Sequence, residues 1–471
     1  EWVKAENART ERRLEGDKRY ESYRRAALKI FTAKDRISTP SFRAGGVDNI
    51  WQDDTHPHGV WRHSDVASYR AGKPKWRTVL DLDALSKAEG RNWFWKGADC
   101  LAPEDRLCLV RLSDGGGDAV EIREFDAVKK AFVDGGFRME RAKQSVDWLD
   151  RDTVIVARPT SADDTTTSGY PFVLRRLRRG QTLGEAAEVF RGEAKDTLVS
   201  ANVMRDADGK LRATIAERRV GFFETEFYLL DSGKPVKLGM PLRASLRGYV
   251  DGQLIFSLEE TFLDFAAGAL VSVDLRVLRE IGIEKSPEIS EDVFALQLIM
   301  QPSASQTIDA VQTTRDRVVL QLLDNVKGVV QVYRREGGAW TGAALKLPGN
   351  SSLVVRAAQK SGSALFVTSE SFLEPTTLWW ADAASAKTGA ISALPARFKP
   401  STHSVEQLWA VSRDGTKIPY FLVKPKKAKA DGSTATLLFG YGGFQLSKPP
   451  VYLPEMGKLW LERGGAYVIA N

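Results

Sequence analysis

Across residues 37–398 the chain consists of short β-rich runs broken by turn residues, with little helical periodicity, and this constrains its fold more than any other feature. The runs include Val60-Trp61-Arg62-His63-Ser64, Leu107-Cys108-Leu109-Val110-Arg111-Leu112, Thr153-Val154-Ile155-Val156-Ala157 and Val318-Val319-Leu320-Gln321-Leu322-Leu323. Turn strings such as Ser113-Asp114-Gly115-Gly116-Gly117-Asp118 and Ala207-Asp208-Gly209-Lys210 lie between them. The units recur at roughly fifty residues, a spacing suited to propeller blades, although no crisp WD or Kelch motif is present. About seven units fit, with starts near Gly46, Trp93, Val146, Ser200, Ala244, Val293 and Leu353. A two-sheet sandwich does not easily absorb about 360 residues of short strands, whereas radial repetition does.

The flanks read differently. Tyr20, Tyr23, Ala27, Ile30 and Phe31 recur at helical spacing, Asp17 is placed to cap that helix, and Gly16 separates it from an earlier helical piece with Trp2, Val3 and Ala8. Beyond Pro400, Arg413-Asp414-Gly415-Thr416 is hairpin chemistry, Thr436 to Phe439 a buried-type strand, and Met456, Leu459 and Trp460 share a helical face ended by Gly464-Gly465. Tyr467 to Ala470 is a further strand. Hairpin, strand, helix, strand is how an α/β-hydrolase sheet begins. The expected fold is mainly β: a seven-bladed propeller over 37–398, flanked by N-terminal helices over 1–36 and a partial α/β-hydrolase segment over 399–471.

Composition narrows the function. No run approaches the roughly 18 apolar residues needed to span a bilayer. The net charge of +7 raises the question of nucleic acid, and the densest basic stretch is Arg175-Arg176-Leu177-Arg178-Arg179. It reads as a strand end with solvated arginines, and no nucleic-acid-binding motif accompanies it. Cys100 and Cys108 are the only cysteines. They are expected to be reduced, buried thiols, which fits a cytoplasmic protein, with the periplasm as the alternative. His56, His58 and His63 sit beside Asp53 and Asp54 around Pro57, a pattern read as a solvated loop and not as a metal site; His403 is expected to be structural or exposed. No cofactor site is expected.

Three C-terminal blocks carry a family resemblance: Ser412-Arg413-Asp414-Gly415-Thr416-Lys417-Ile418-Pro419, then Leu437-Leu438-Phe439-Gly440-Tyr441-Gly442-Gly443-Phe444, then Leu461-Glu462-Arg463-Gly464-Gly465 with Ala466 to Asn471. In this order they resemble the start of the catalytic domain of the prolyl oligopeptidase family of serine peptidases. Trp2-Val3-Lys4-Ala5-Glu6-Asn7, Glu121-Ile122-Arg123-Glu124-Phe125-Asp126 and Ser371-Phe372-Leu373-Glu374-Pro375-Thr376-Thr377-Leu378-Trp379 are similar to segments earlier in that family.

The resemblance implies a peptidase that acts on short peptides, after proline by family name, with the propeller excluding folded proteins; a monomer without nucleic-acid or membrane partners is expected. Acyl transfer at serine needs a nucleophile on a strained turn, a histidine oriented by a carboxylate, and oxyanion donors. No Gly-x-Ser-x-Gly occurs, so the Ser, Asp and His of the triad are expected beyond Asn471 and residues 1–471 alone are expected to be inactive. The resemblance assigns Tyr441 as an oxyanion donor through its neutral phenol hydroxyl, on the loop Gly440, Gly442 and Gly443, whose glycines allow a close approach of backbone to substrate. The rivals are a peptidase of the same architecture with basic or N-blocked peptide specificity, and a non-catalytic binding propeller. Residues 401–471 are expected to be poorly supported, with an apolar sheet edge at Val468-Ile469-Ala470.

Overall fold

A computed structural model gives the fold and describes residues 1–231, 233–281 and 296–471. Among the described residues, seven antiparallel sheets follow one another between residues 41 and 393, six of four strands and one of five. In the four-stranded sheets the strands lie side by side in chain order, so each of these sheets is a meander of contiguous sequence. Alternation in the sequence sets which face is covered. In Lys327–Glu336, for instance, Gly328, Val330 and Val332 are buried while the residues between them are partly exposed.

Neighbouring sheets meet through their first strands. Ser145–Asp150 contacts Leu198–Arg205, Ala244–Val250 contacts Gln306–Thr313, and Ser352–Ala358 contacts Ser41–Arg43, which closes a ring. A central cavity of about 770 Å³ runs between these strands, with Arg43, Asp99, Arg111, Asp147, Arg205 and Lys360 on its wall. The architecture is therefore a β-propeller. Its core is distributed between successive sheets: one apolar cluster joins Ile122, Phe137 and Met139 to Trp148, Val154 and Val156, and another joins Val319 and Val330 to Leu353, Val355 and Leu365.

Five of the expected unit starts fall within two residues of a sheet's first strand: Trp93–Cys100, Ser145–Asp150, Leu198–Arg205, Ala244–Val250 and Ser352–Ala358. Gly46 begins the second strand of sheet one, which opens at Ser41–Arg43. Val293 lies outside the described residues, and the sixth sheet opens later, at Gln306–Thr313.

Several expectations are corrected. Cys100 and Cys108 are joined in a disulfide, because the register of Trp93–Cys100 against Leu107–Asp114 sets them directly opposite. The thiol argument for a cytoplasmic protein falls with it. None of the described helices is long and apolar enough to cross a membrane. The basic stretch is not simply solvated: Arg175 is buried on Asp164 at 2.7 Å, and Arg179 pairs with Glu124 at 2.7 Å, while Arg176 and Arg178 are exposed. Nor is the histidine loop freely solvated. His56 lies 3.0 Å from Asp53 and 3.7 Å from Asp81, His58 2.7 Å from Asp83, and His63 2.6 Å from Asp48. Among the described residues no three His, Cys, Asp or Glu side chains converge to hold a metal.

The helices Trp2–Glu15 and Tyr20–Phe31 precede the ring, and the second packs against the short helix Pro454–Leu459. Asp17 accepts the Arg19 N–H at 2.8 Å beside the second helix. After the ring, His403–Val411 and Lys417–Pro425 form a hairpin, and the C-terminal sheet adds Ala466–Ala470 and then Thr436–Gly440. The last two run parallel, connected through the helix Pro454–Leu459. Ala466–Ala470 is thus interior to the sheet; the edge lies at Thr436–Gly440, all five of whose residues are exposed.

Support for this segment is uneven, and so the expectation of a weakly held tail applies to only part of it. Phe398, Phe421, Val423, Leu461, Tyr467 and Ile469 are buried together with Phe372 from the turn at 371–376 in sheet seven. The Gln407 side chain donates to the Asn325 carbonyl at 2.6 Å, and the Ser352 N–H donates to the Pro450 carbonyl at 3.2 Å.

Candidate active site

The parallel pair places Gly440 opposite Ala470, and the chain leaves the sheet at Gly440 to form the loop 441–448. At its far end, Asn471 fixes the loop: its side-chain oxygen accepts the Lys448 N–H at 2.6 Å. Two residues on, the Pro450 carbonyl takes the Ser352 N–H, so the loop hangs between the C-terminal sheet and the propeller.

Tyr441 is 43% exposed, enough for its hydroxyl to meet a ligand. Lys448 sets its ammonium 4.3 Å from the centre of the Tyr441 ring, a cation–π contact that adds positive charge beside the phenol. The Tyr441 hydroxyl lies over Gly443, where an added Cβ would stand 3.1 Å from the oxygen, so glycine at 443 keeps that space free. Gly440 and Gly442 have no such crowding: at Gly440 the nearest atom to an added Cβ is that of Ala470 at 3.9 Å, and at Gly442 nothing lies within 4 Å. Phe444 follows in the left-handed region, at φ 57°, and is 89% exposed. Chemically, the loop offers one O–H donor with the Lys448 ammonium nearby, which suits an oxygen that gains negative charge.

The other candidate residues are not brought to this loop. His56, His58 and His63 belong to sheet one and its connections, paired there with Asp53, Asp83 and Asp48. His403 opens the strand His403–Val411, is 4% exposed, and is held below the ordinary imidazole range by burial; its Nδ1 meets the Thr402 hydroxyl at 3.0 Å. Ser351 turns its hydroxyl onto the Pro348 carbonyl at 2.6 Å. Sequence reasoning missed Lys448 and Asn471 as partners of the loop. The two-residue offset from Lys448 to Pro450 gave no motif to find them by.

Ring and loop together define a class: a β-propeller attached to the opening of an α/β-hydrolase sheet. The family model of the prolyl oligopeptidase N-terminal β-propeller domain matches residues 1–393, and the chain belongs to the prolyl oligopeptidase family. An uncharacterized peptidase of Sinorhizobium fredii is 43% identical over 480 residues, covering 100% of this chain and 65% of that protein. One from Rickettsia prowazekii is 29% identical over 489 residues, again covering the whole chain and 66% of the relative. The chain thus spans just under two thirds of the length of these relatives. Among solved structures, a post-proline cleaving enzyme from Rickettsia typhi superposes with a TM-score of 0.83 at 28% identity, over 100% of this chain and 69% of the other.

Proposed function

We propose that residues 1–471 are the propeller and the opening of the catalytic domain of a serine oligopeptidase that cleaves short peptides. In this reading 37–398 is the gating propeller. Residues 1–36 belong with 399–471, as the Arg463 guanidinium 4.1 Å from the centre of the Tyr23 ring suggests. The observation that carries the proposal is the Gly440-Tyr441-Gly442-Gly443 loop at the end of a parallel strand pair, held beside a propeller of this family. A serine elsewhere in the whole protein attacks the peptide carbonyl as a histidine base, also elsewhere in it, takes the hydroxyl proton. The carbonyl π electrons move to oxygen, and the Tyr441 hydroxyl donates a hydrogen bond to the oxyanion while the Lys448 charge favours it. The exposed edge at Thr436–Gly440 is the place for the next strand of such a sheet.

Cleavage after proline is the preferred specificity, supported by the name of the Rickettsia typhi relative. Residues 1–471 by themselves are not expected to hydrolyse peptides, since no serine stands in a glycine elbow. The test is Tyr441→Phe in the full-length protein, assayed on short peptides with proline or arginine before the scissile bond. Loss of one oxyanion donor lowers kcat by about 10²–10³ with KM nearly unchanged. An unchanged kcat removes Tyr441 from the oxyanion site, and preference for the arginine peptide replaces the post-proline reading with the basic one.

A further inference from the structure

Away from the glycine loop, a second cavity of about 200 Å³ opens where sheet one meets sheet seven. Its wall takes Trp51, Arg62, Tyr69 and Trp76 from the first sheet and its connections, and Leu378 and Ser392 from the seventh. The Arg62 guanidinium carbon lies 4.4 Å from the ring centre of Trp51 and 4.3 Å from that of Trp76, so the group is held between two indoles. Its Nε donates to the Asn49 side-chain oxygen at 2.9 Å. Among the described residues no carboxylate lies within ion-pair distance of it, and no protein acceptor takes its Nη hydrogens.

Other inward-facing arginines are satisfied differently. Arg43 lies on Asp48, Arg123 on Glu89 and Glu121, Arg175 on Asp164, and Arg218 on Asp196. Arg205 turns its Nη groups onto the carbonyls of Trp148, Leu149 and Gly209. Burial pulls Arg62 down to about 10, only partly offset by the more distant Asp53 carboxylate, which still leaves it cationic at neutral pH. Arg36 lines the same cavity, is exposed, and sets its guanidinium 5.7 Å from the centre of the Trp51 ring, again with no carboxylate within ion-pair distance among the described residues.

We propose that this cleft between the first and last sheets binds a carboxylate carried on a small apolar or aromatic body. Two parallel N–H groups of a guanidinium match the two oxygens of a carboxylate in one plane. The rings of Trp51 and Trp76 lie against the same guanidinium and hold it in place at the cleft. Leu378 and the ring of Tyr69, which is 6% exposed, offer the apolar surface for the body of the ligand. Such a ligand touches both sheets of the seam at once, so its binding also raises the melting temperature of the ring. The site is independent of the peptidase reading.

The test is calorimetric titration of the chain with N-acetyl-L-phenylalanine, its C-terminal amide, phenylacetate and inorganic phosphate at fixed ionic strength. The expected result is saturable binding of a carboxylate ligand, with the amide at least about tenfold weaker, as for loss of a charge-assisted pair. Arg62→Met should weaken the acid at least about tenfold and Arg36→Gln a few-fold. Arg36 is exposed, so its variant reports on the site even if Arg62→Met fails to fold. Tighter binding of N-acetyl-L-phenylalanine than of phenylacetate assigns the site to a peptide C-terminus, and the reverse order assigns it to a free aryl acid. Equal affinity for acid and amide, tighter binding of phosphate, absence of binding, or acid binding indifferent to Arg36→Gln overturns the proposal.

Discussion

The seam between sheets two and three adds buried directional bonds to its apolar cluster, whereas the seam between sheets seven and one is held by aromatic packing. At the first, Glu124, whose side chain is 1% exposed, takes two N–H groups of Arg179 at 2.7 and 3.1 Å and the Phe137 N–H at 2.9 Å. The Trp148 indole adds a hydrogen bond to the Asp99 carbonyl at 2.9 Å. At the second, Phe42 stacks on Phe366 at 4.7 Å, with Tyr69 and Trp380 edge-on to Phe366 at 5.2 and 5.6 Å. Among the described residues no hydrogen bond or ion pair joins 41–81 to 352–393. Directional bonds hold one geometry and fail abruptly when a partner is lost, whereas apolar burial is non-directional and tolerates small displacements. The ring should therefore be stiff at the polar seam and compliant at the aromatic one.

The largest effect is expected from stranding the buried carboxylate. Arg179→Met leaves Glu124 without its counter-charge and should cost about 3–5 kcal/mol in urea denaturation. Adding Glu124→Leu should recover most of that, because the uncompensated charge is then gone; no recovery would mean that Arg179 acts through packing alone. Phe366→Leu at the aromatic seam should cost about 1–2 kcal/mol. Its distinguishing sign is spatial: hydrogen exchange should quicken in sheets one and seven and not in sheets three to five. Smaller again, Arg70→Met removes an exposed guanidinium 4.2 Å from the centre of the Trp380 ring and should cost about 0.5–1 kcal/mol.

The least effect is one of pH, at the exit from the ring. Burial holds the His403 imidazole below its ordinary value of 6.5, so the unfolded chain binds the proton more readily than the folded one. The stability tied to neutral His403 is present above about pH 6.5 and lost as the pH falls through the lower folded value. Thermal melts between pH 8 and 5 should show this loss, and His403→Gln should flatten it. An unaltered slope in the variant would place the titration elsewhere.

The ring was legible because strand alternation and turn residues are local signals. Trp93, Ala244 and their counterparts could be read as sheet starts without any knowledge of what they pack against. The sixth start was misread because Gln297–Met300, the outer strand of sheet five, is itself a short apolar run, and it lies far along the chain from its partner Leu270–Asp274. The disulfide was missed although Leu101 and Leu107 pair at the base of the hairpin between the cysteines, a symmetry the spacing already contained. The glycine and tyrosine loop was legible as a motif; its setting was not, because Lys448 and Asn471 reach it only through the folded sheet. The Arg62 slot was hidden for the same reason: Trp51 comes from the strand Gly46–Trp51, Trp76 from the connection before Arg77–Asp81, and Leu378 from the far end of the ring.

The chain order of strands within the sheets has a further consequence, for the sequence of events as the polypeptide is made. Each sheet can assemble from a stretch already synthesised, with only short connections to close. The meeting of Phe42 with Phe366 is the exception, since the first sheet must wait for the last. The entropy of joining such distant points grows only slowly with the length between them, by about 0.6 kcal/mol for each doubling, so the wait is long but the added thermodynamic burden is small. The aromatic seam is thus the last joint to form, and until it forms the nascent chain is an open arc with two uncovered ends.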